Sequence, residues 1–380
     1  MSNLLSKASI ILTPTAYSDG DLHCIKPNTA TGDFDFTRST TATRINSSGN
    51  VESVAANLPR IDYTGGTGQI LLEPQTTNLL TYSEDFSQWS AGSTITLQSG
   101  FSAPDGTNNA YKLTKTGTAQ PYLIFNASLT TSSTRSIFAK TVSGTGTVNL
   151  LSHNSNTNNL FTLTENWQRF DVTSSNSTGV ANFYAVDFRG SSSLSEIIVF
   201  GANATNDQAF ATSYIPTSGS TVTRNADAAN NAGSSSLISS TEGVLYAEIA
   251  SFETNTAAKF ITISDGTFNN RASISLSASF SFRVFLRVGG ASQVDINLNV
   301  SDVKDYNKIA FSYKENDFKI YINGSLVHSD TSGSVWSSST ITKLSFSEIG
   351  LTSGAFNGKV KSVAVYKEAL TDAELTCLTT

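Results

Sequence analysis

From Ile274 to Val288 every even position is apolar: Ile274, Leu276, Ala278, Phe280, Phe282, Val284, Leu286 and Val288. The odd positions are Ser or Arg, apart from Phe285. A period of two puts alternate side chains on opposite faces of a strand, one on a core and one in water. The alternation resumes at Val294, Ile296, Leu298 and Val300 after Gly289-Gly290, which predicts a hairpin. Ile309, Phe311 and Tyr313 alternate in turn, Lys314 to Asp317 supply a bend, and Phe318, Ile320 and Ile322 lead to Asn323-Gly324. Both residues of that last pair tolerate positive φ, so a second hairpin follows. One helix is predicted, in LTDAELTCL, where Thr371 as N-cap and Glu374 three residues on form a capping box.

The middle third, from about Thr81 to Thr223, is cut into short strands: Tyr122 to Phe125, Ser136 to Lys140, Val148 to Leu151, Leu160 to Thr164, Gln168 to Val172, Ala181 to Phe188 and Ile197 to Phe200. Turn-rich connectors at this spacing suit an antiparallel sandwich with its own core. The stretch from Phe34 to Phe86 is different. Its apolar scraps (Phe34 and Phe36, Ile61 and Tyr63, Ile70 to Leu72, Leu79 and Leu80) are separated by small polar residues and two prolines, so none is long enough to cover another. This segment needs a host surface. The run ADAANNAGSSS, Ala226 to Ser236, has no large apolar residue and reads as a linker. STTATRIN at 39–46 and GSTVTRNA at 219–226 are weakly alike, and each reads as an extended stretch leading into or away from a globular unit.

The expected class is all-β. An extended N-terminal arm over 1–80 is followed by a β-sandwich over 81–225, a linker over 226–237, a second antiparallel jelly-roll sandwich over 238–380, and one short C-terminal helix. Composition supports this. Charged residues make up 14% of the 380, against about 25% in average proteins, so small neutral polar side chains must cover the surface. That points away from helical bundles, which need Glu, Lys, Ala and Leu, and toward strands joined by polar turns. The net charge of −6 gives no basic patch for nucleic acid. The apolar run Ala8 to Leu12 ends at Pro14 without a signal-peptide cleavage pattern, and no window is long enough to span a bilayer, so neither a signal peptide nor membrane insertion is expected.

The segments SKASIILTPTAYSDGDLHCIKP at 6–27, DFDFTRSTTATRINSSGNVESVAANLPRIDY at 33–63 and ILLEPQTTNLLTYSEDFSQW at 70–89 resemble the N-terminal part of bacteriophage tail-fibre, head-fibre and spike structural proteins. NWQRFDVTS at 166–174 and AFATSYIPTSGSTVTRNAD at 209–227 resemble the carbohydrate-binding jelly-roll modules that follow it in such proteins. EGVLYAEIASF at 242–252, NKIAFSYKENDFKIYINGSLV at 307–327 and FNGKVKSVAVYKEALTDAEL at 356–375 are similar to laminin-G-like, concanavalin-A-type lectin domains. These resemblances imply a virion protein, made in the host cytoplasm, that displays glycan-binding folds. They also imply virion proteins as partners of the N-terminal arm, host-surface polysaccharide as ligand, and a homo-oligomer with a trimer favoured.

Chemistry is sparse. His23, His153 and His328 fall in different predicted units, and Cys24 and Cys377 lie at opposite ends of the chain, so neither metal-ligand spacing nor a disulfide framework is visible. Cys24 and Cys377 read as plain thiols. No G-x-S-x-G elbow occurs. The carboxylate pairs Glu84-Asp85, Asp302-Asp305 and Glu315-Asp317 sit in predicted turns, where solvated side chains rather than a glycosidase pair are expected. Asp265-Gly266 and Asp330 are conceivable loop ligands for calcium, but no metal, cofactor or catalytic residue is assigned. Sugar binding needs an aromatic face with amide, acid or guanidinium groups beside it. Trp89, Tyr122, Tyr184 and Trp336 meet that description, with Trp336 in SGSVWSSS the most exposed, while Trp167 and Phe170 belong to the core. The expected function is non-enzymatic host-surface adhesion by a virion appendage. The competing readings are a capsular-polysaccharide depolymerase and a decoration protein that binds no sugar.

Overall fold

The computed structural model describes residues 2–125, 127, 129–130, 132–153, 159–175, 183–254, 258–277, 281–350 and 354–380. Antiparallel strands dominate it, as the alternation predicts. The chain divides into two compact units. Unit 1 comprises Met1–Ser39, Val54–Pro74 and Ala226–Thr380, and unit 2 comprises Thr40–Ser53 and Gln75–Asn225.

In unit 1 the described strands form a large sheet in the order Ser325–Asp330, Asp317–Ile322, Asn307–Lys314, Glu242–Ala250, Gly358–Tyr366, Gln69–Leu72, Arg60–Asp62. Ala8–Leu12 also pairs with Gly358–Tyr366, at Val363 to Tyr366, while Gln69–Leu72 pairs at Gly358 to Val360. Two N-terminal segments thus share one side of a single C-terminal strand. An unpaired strand there would offer a row of free N–H and C=O groups for aggregation. The facing sheet runs Ala291–Leu298, Phe282–Val288, Arg271–Leu276, Lys259–Ser264, Lys343–Ser345. Ile10, Leu12, Phe34, Phe36, Ile70 and Leu72 are buried in the same core as Leu245, Ile274, Val284 and Phe311.

Residues 1–80 are therefore not a separate arm. The apolar scraps do need a host, and most of them find it in the C-terminal sandwich of their own chain. The even-position pattern also hides a turn. Leu276 pairs directly with Phe282, and Ile274 with Val284, so a connection at 277–281 returns the chain with its parity unchanged. Directly opposed residues share a face, which is why the alternation runs through the bend. Ala278 and Phe280 lie outside the described residues. The Asn323-Gly324 turn forms as predicted, with φ of 48° and 83°.

The presumed linker is also structural. Ala228–Asn230 pairs with Phe34–Thr37, and Ala229 and Ala232 are fully buried. The preceding Asp227 is buried between two arginines. Arg38 Nη1 donates to its Oδ1 at 2.9 Å, Arg60 Nη2 donates to its Oδ2, and the Glu73 N–H donates to Oδ2 at 2.8 Å. Arg60 Nη1 donates to Glu73 Oε2 at 2.6 Å. Burial alone would lower the Arg60 guanidinium, but the charges of Asp227 and Glu73 hold it above its ordinary value. Small alanines let the strand approach closely and the acid ties it down.

The C-terminal helix, Asp372–Thr379, starts at the Thr371–Glu374 capping box. A second helix not read from the sequence, Ser2–Lys7, buries Leu4 beside Tyr366 and Leu375. Lys7 bridges Glu368 at 3.1 Å and Glu374 at 2.8 Å, joining the two terminal helices.

In unit 2 one sheet runs Ser90–Ala91, Tyr122–Ile124, Phe183–Asp187, Gly146–His153, Leu160–Leu163. The other runs Ile95–Phe101, Ala110–Lys115, Glu196–Thr205, Ser132–Thr141, Gln168–Ser175. All the strands predicted in the middle third are present, although residues 181 and 182 lie outside the described set. Ile95–Phe101 and Ala110–Lys115 carry too little regular alternation to be read. Asn78 is this unit's polar anchor. Its Nδ2 donates to Ala202 O, Asn203 Oδ1 and Ile215 O, and its Oδ1 accepts from Leu80 N and Ala204 N.

Asp227→Ala leaves two buried guanidinium groups short of their counter-charge, a change that typically costs about 3–5 kcal/mol. Chemical denaturation is expected to show a loss of that size in the unit 1 transition, with the unit 2 transition unmoved.

Candidate functional site

The strand pairing of unit 2 brings two of the four sequence-nominated aromatics together. Tyr122 lies opposite Asp187, and Asn149 lies opposite Asp187 on the other side. Ile124 and Ser152 likewise flank Tyr184. Ala185 is an extra residue relative to Tyr122–Ile124 and Leu151 has φ of +57°, and these irregularities keep Tyr184 and Asp187 on the face turned away from the core. The Tyr122 and Tyr184 rings meet edge to face, with centroids 4.7 Å apart and planes at 73°.

Arg189 completes the group. Its guanidinium carbon lies 4.7 Å from the Tyr122 centroid and 4.9 Å from that of Tyr184. Its Nε and Nη2 clamp the buried Asp187 carboxylate at 2.9 Å and 2.6 Å. Hydrogen bonding to Asp187 raises the guanidinium above its ordinary value, against the opposing effect of burial. Asn149 Nδ2 donates to Arg189 O at 2.9 Å and to Ser192 Oγ at 3.0 Å, which fixes the loop carrying Arg189. Asn149 Oδ1 and Ser152 Oγ are buried without a hydrogen-bond partner among the described residues. Tyr122 is half-buried, and the Arg189 side chain keeps about a third of its surface, at 32%. Tyr184 itself is buried, at 8% exposure, so the open part of this charge-balanced ledge is Tyr122 and Arg189. Its aromatic edge can take the C–H face of a pyranose, and the guanidinium N–H groups can donate to hydroxyls.

Trp89 and Trp336 are corrections. Trp89 is 7% exposed, packs against Phe86 and Phe125, and donates Nε1–H to Tyr82 O at 2.7 Å. Trp336 is 2% exposed, stands edge-on to Tyr313, and donates Nε1–H to Arg287 O at 2.7 Å. Ser-rich flanks mark turns, not the exposure of the ring between them. Trp167 and Phe170, read as core, are only half-buried at its margin. Arg189 and Asp187 were missed. The D-x-R spacing is a visible local signal, but its meaning depends on Tyr122, which only the pairing brings near.

A second feature of unit 2 is a cleft of about 380 Å³ lined by Thr43, Asn46, Glu52, Glu84, Asp105 and Tyr214, among others. Glu84 is not a freely solvated turn residue. Tyr214 Oη donates to its Oε1 and Asn109 Nδ2 to its Oε2, both at 2.7 Å. Burial raises the Glu84 carboxyl above the ordinary value of 4.5 despite those bonds, and burial together with the Glu84 charge raises Tyr214. Asp85 instead accepts from Ser87 and Tyr111 and is lowered.

The calcium candidates are occupied by turn chemistry. Asp265 accepts from Thr267 N and Asn270 Nδ2, and Asp330 from the N–H and hydroxyl of Ser332. No three acidic, His or Cys side chains are grouped to hold a metal among the described residues. His23 Nδ1 bonds Asp33 Oδ2 at 2.7 Å. The side chain of His153 lies outside the described residues. Cys24 is buried and Cys377 exposed, and neither is in a disulfide. No described helix is long and apolar enough to cross a membrane.

Residues 246–376, within unit 1, match the concanavalin A-like lectin/glucanases superfamily. Those residues form most of the antiparallel β-sandwich of unit 1, and it is that sandwich which is similar to the superfamily. No curated protein matches the chain. Similar solved structures include domain 4 of AbnA, a GH43 extracellular arabinanase from Geobacillus stearothermophilus in complex with arabinotriose. It is 16% identical over 41% of this chain and 73% of that one, with a TM-score of 0.34. The CBM40 of the Ruminococcus gnavus IT-sialidase is 14% identical over 40% of this chain and 94% of its own, also at 0.34. A SAP-like pentraxin from Limulus polyphemus is 15% identical over 40% and 74%, at 0.31. Likeness at these scores carries no argument about function.

The Glu84 environment gives a direct test. Its carboxyl titration, followed by NMR, is expected to have a midpoint above 4.5. Tyr214→Phe removes a bond that favours the carboxylate and should move the midpoint farther up. A raised folded-state value means that this group's stabilising contribution is present in acid and lost as pH rises through that midpoint.

Proposed function

We propose that this chain is a non-catalytic, glycan-binding bacteriophage virion protein, a head or tail appendage that holds host-surface polysaccharide. The observation that carries the binding reading is the Tyr122–Arg189 ledge, where a half-buried Tyr122 ring, backed by the buried Tyr184, is braced by a charge-balanced guanidinium. The lectin-type fold of residues 246–376 supports it. The virion reading rests on the resemblance of the segments at 6–27, 33–63 and 70–89 to phage fibre and spike proteins. Copies assemble as a homo-oligomer, with a trimer the arrangement that resemblance implies, and other virion proteins are the partners. Several weak sites on one particle then raise the effective concentration, so single-site affinity need not be high.

Glu84 favours a second reading, a polysaccharide depolymerase, because a raised carboxyl in a cleft with Asp105 is suited to general acid chemistry. Both Glu84 oxygens accept bonds from Tyr214 and Asn109, which suits a structural acceptor better.

Tyr122→Ala and Arg189→Ala are expected to weaken retention of the intact chain on host polysaccharide by about three- to tenfold per site, the loss of an aromatic contact. Unchanged retention sinks the ledge as the site. New reducing ends that vanish in Glu84→Gln would establish the enzyme reading instead. Imaging of purified particles should show the chain on capsid, neck or tail, and its absence there ends the virion reading.

A further inference from the structure

The outer face of the second sheet in unit 1 gathers positive charge in a chain whose net charge is −6. Ala272, Ile274, Val284 and Leu286 belong to the core, so alternation turns Arg271, Arg283, Phe285 and Arg287 to the opposite face. Arg271 and Arg287 stand directly opposite each other across the antiparallel pair. Like charges so placed repel. Burial lowers the Arg271 guanidinium, Glu348 opposes that, and the charges of Arg287 and Arg283 lower it further.

Two of the three guanidiniums are balanced. Arg271 Nη2 donates to Glu348 Oε1 at 2.9 Å, and its Nη1 donates to Phe268 O. Arg283 clamps Asp295 through Nε and Nη2, both at 2.6 Å. The Phe285 ring lies between them, with its centroid 5.0 Å from the Arg271 guanidinium carbon and 5.1 Å from that of Arg283. Arg287 is different. It is half-buried, and its side chain has no hydrogen bond or ion pair among the described residues. Asp295 feels its charge, yet both oxygens of that carboxylate are spent on Arg283. Lys343 lies in the same row across the sheet, three strands from Arg287 or roughly 14 Å, and its ammonium sits beside Gly266.

The backbone around Arg287 is fixed. Trp336 donates Nε1–H to Arg287 O at 2.7 Å, Gly289 N–H donates to Asn270 Oδ1 at 2.8 Å, and Gly290 N–H donates to Asn269 O at 2.9 Å. The last two bonds join neighbouring turns. They place Phe268 at the same end of the sheet, where its ring is 46% exposed and its centroid lies 5.1 Å from the Arg271 guanidinium carbon.

We infer that Arg287 holds the carboxylate of a small organic acid whose apolar or aromatic body lies on Phe268. A guanidinium fork matches a carboxylate in geometry, and a half-buried cation without a partner gains from one. Phe268 offers the body a ring face. A polyanion is disfavoured, because Glu348 and Asp295 flank the one unpaired guanidinium and would repel its further charges. This site does not rest on the glycan reading of the Tyr122 ledge.

The experiment is an NMR titration of the full chain, following backbone amides and arginine Nε–H groups at constant ionic strength, with benzoate, acetate and the neutral benzamide. Benzoate should give saturable shifts at 268–271 and 285–290, acetate should bind about three- to tenfold more weakly, and benzamide should give no saturable shift there. Arg287→Gln should weaken benzoate binding about tenfold or more while leaving the rest of the spectrum in place, and Phe268→Ala about threefold. Arg189→Ala should leave it unchanged, so failure of the ledge and failure of this site are read separately. Absence of saturable shifts with benzoate overturns the proposal. Equal binding of benzamide or acetate, or full binding by Arg287→Gln, also overturns it.

Discussion

Unit 1 depends on one buried acid. Asp227 joins Arg38 and Arg60, and Arg60 in turn holds Glu73, so residues from separate stretches of sequence meet in a network of zero net charge. Apolar contacts are non-directional and tolerate a strand sliding by two residues, which keeps the same face on the core. A charged cluster in a dry interior does not, because any slip strands an ion without its partner. The hydrophobic faces of Ala8–Leu12, Phe34–Thr37 and Gln69–Leu72 supply the adhesion, and the ion network sets where they stop.

That division of labour explains what could be read from the sequence. Strands in the last third were legible because their alternation is local and each turn between them is short. The reversal between Leu276 and Phe282 was invisible because the two pair with unchanged parity. Residues 1–80 looked like an arm because each scrap is too short to cover its neighbour, and their host lies hundreds of residues away. ADAANNAGSSS looked like a linker because its worth lies in being small and in one acid, and composition gives no credit for either. Of the candidate site, Tyr122 and Tyr184 were nominated by type, yet their meeting and their bracing by Arg189 follow from strand pairing alone. Trp89 and Trp336 failed because a large ring with one N–H is well satisfied in a core when a carbonyl stands within reach.

The low charge content now has a structural counterpart. The unit 2 ledge pairs its cation, Arg189, with a buried carboxylate. That surface presents a ring, a phenol hydroxyl and guanidinium donors, groups suited to hydroxyl-rich ligands. A protein covered in Ser, Thr and Asn can carry such sites at little cost to its fold, because the same residue types serve turns and surface alike.

Ser9 hydrogen-bonds Val365 across 356 positions of sequence. On a ribosome adding about 5–20 residues per second, strand Ala8–Leu12 therefore waits roughly 20–70 s before its partner exists. Unit 2, whose sandwich is encoded in one uninterrupted stretch from Gln75 to Asn225, is complete long before then. The order of birth is thus the reverse of what an N-terminal arm would have. Unit 2 can fold once Asn225 is made, whereas the core of unit 1 is completed only when strand Gly358–Tyr366 exists.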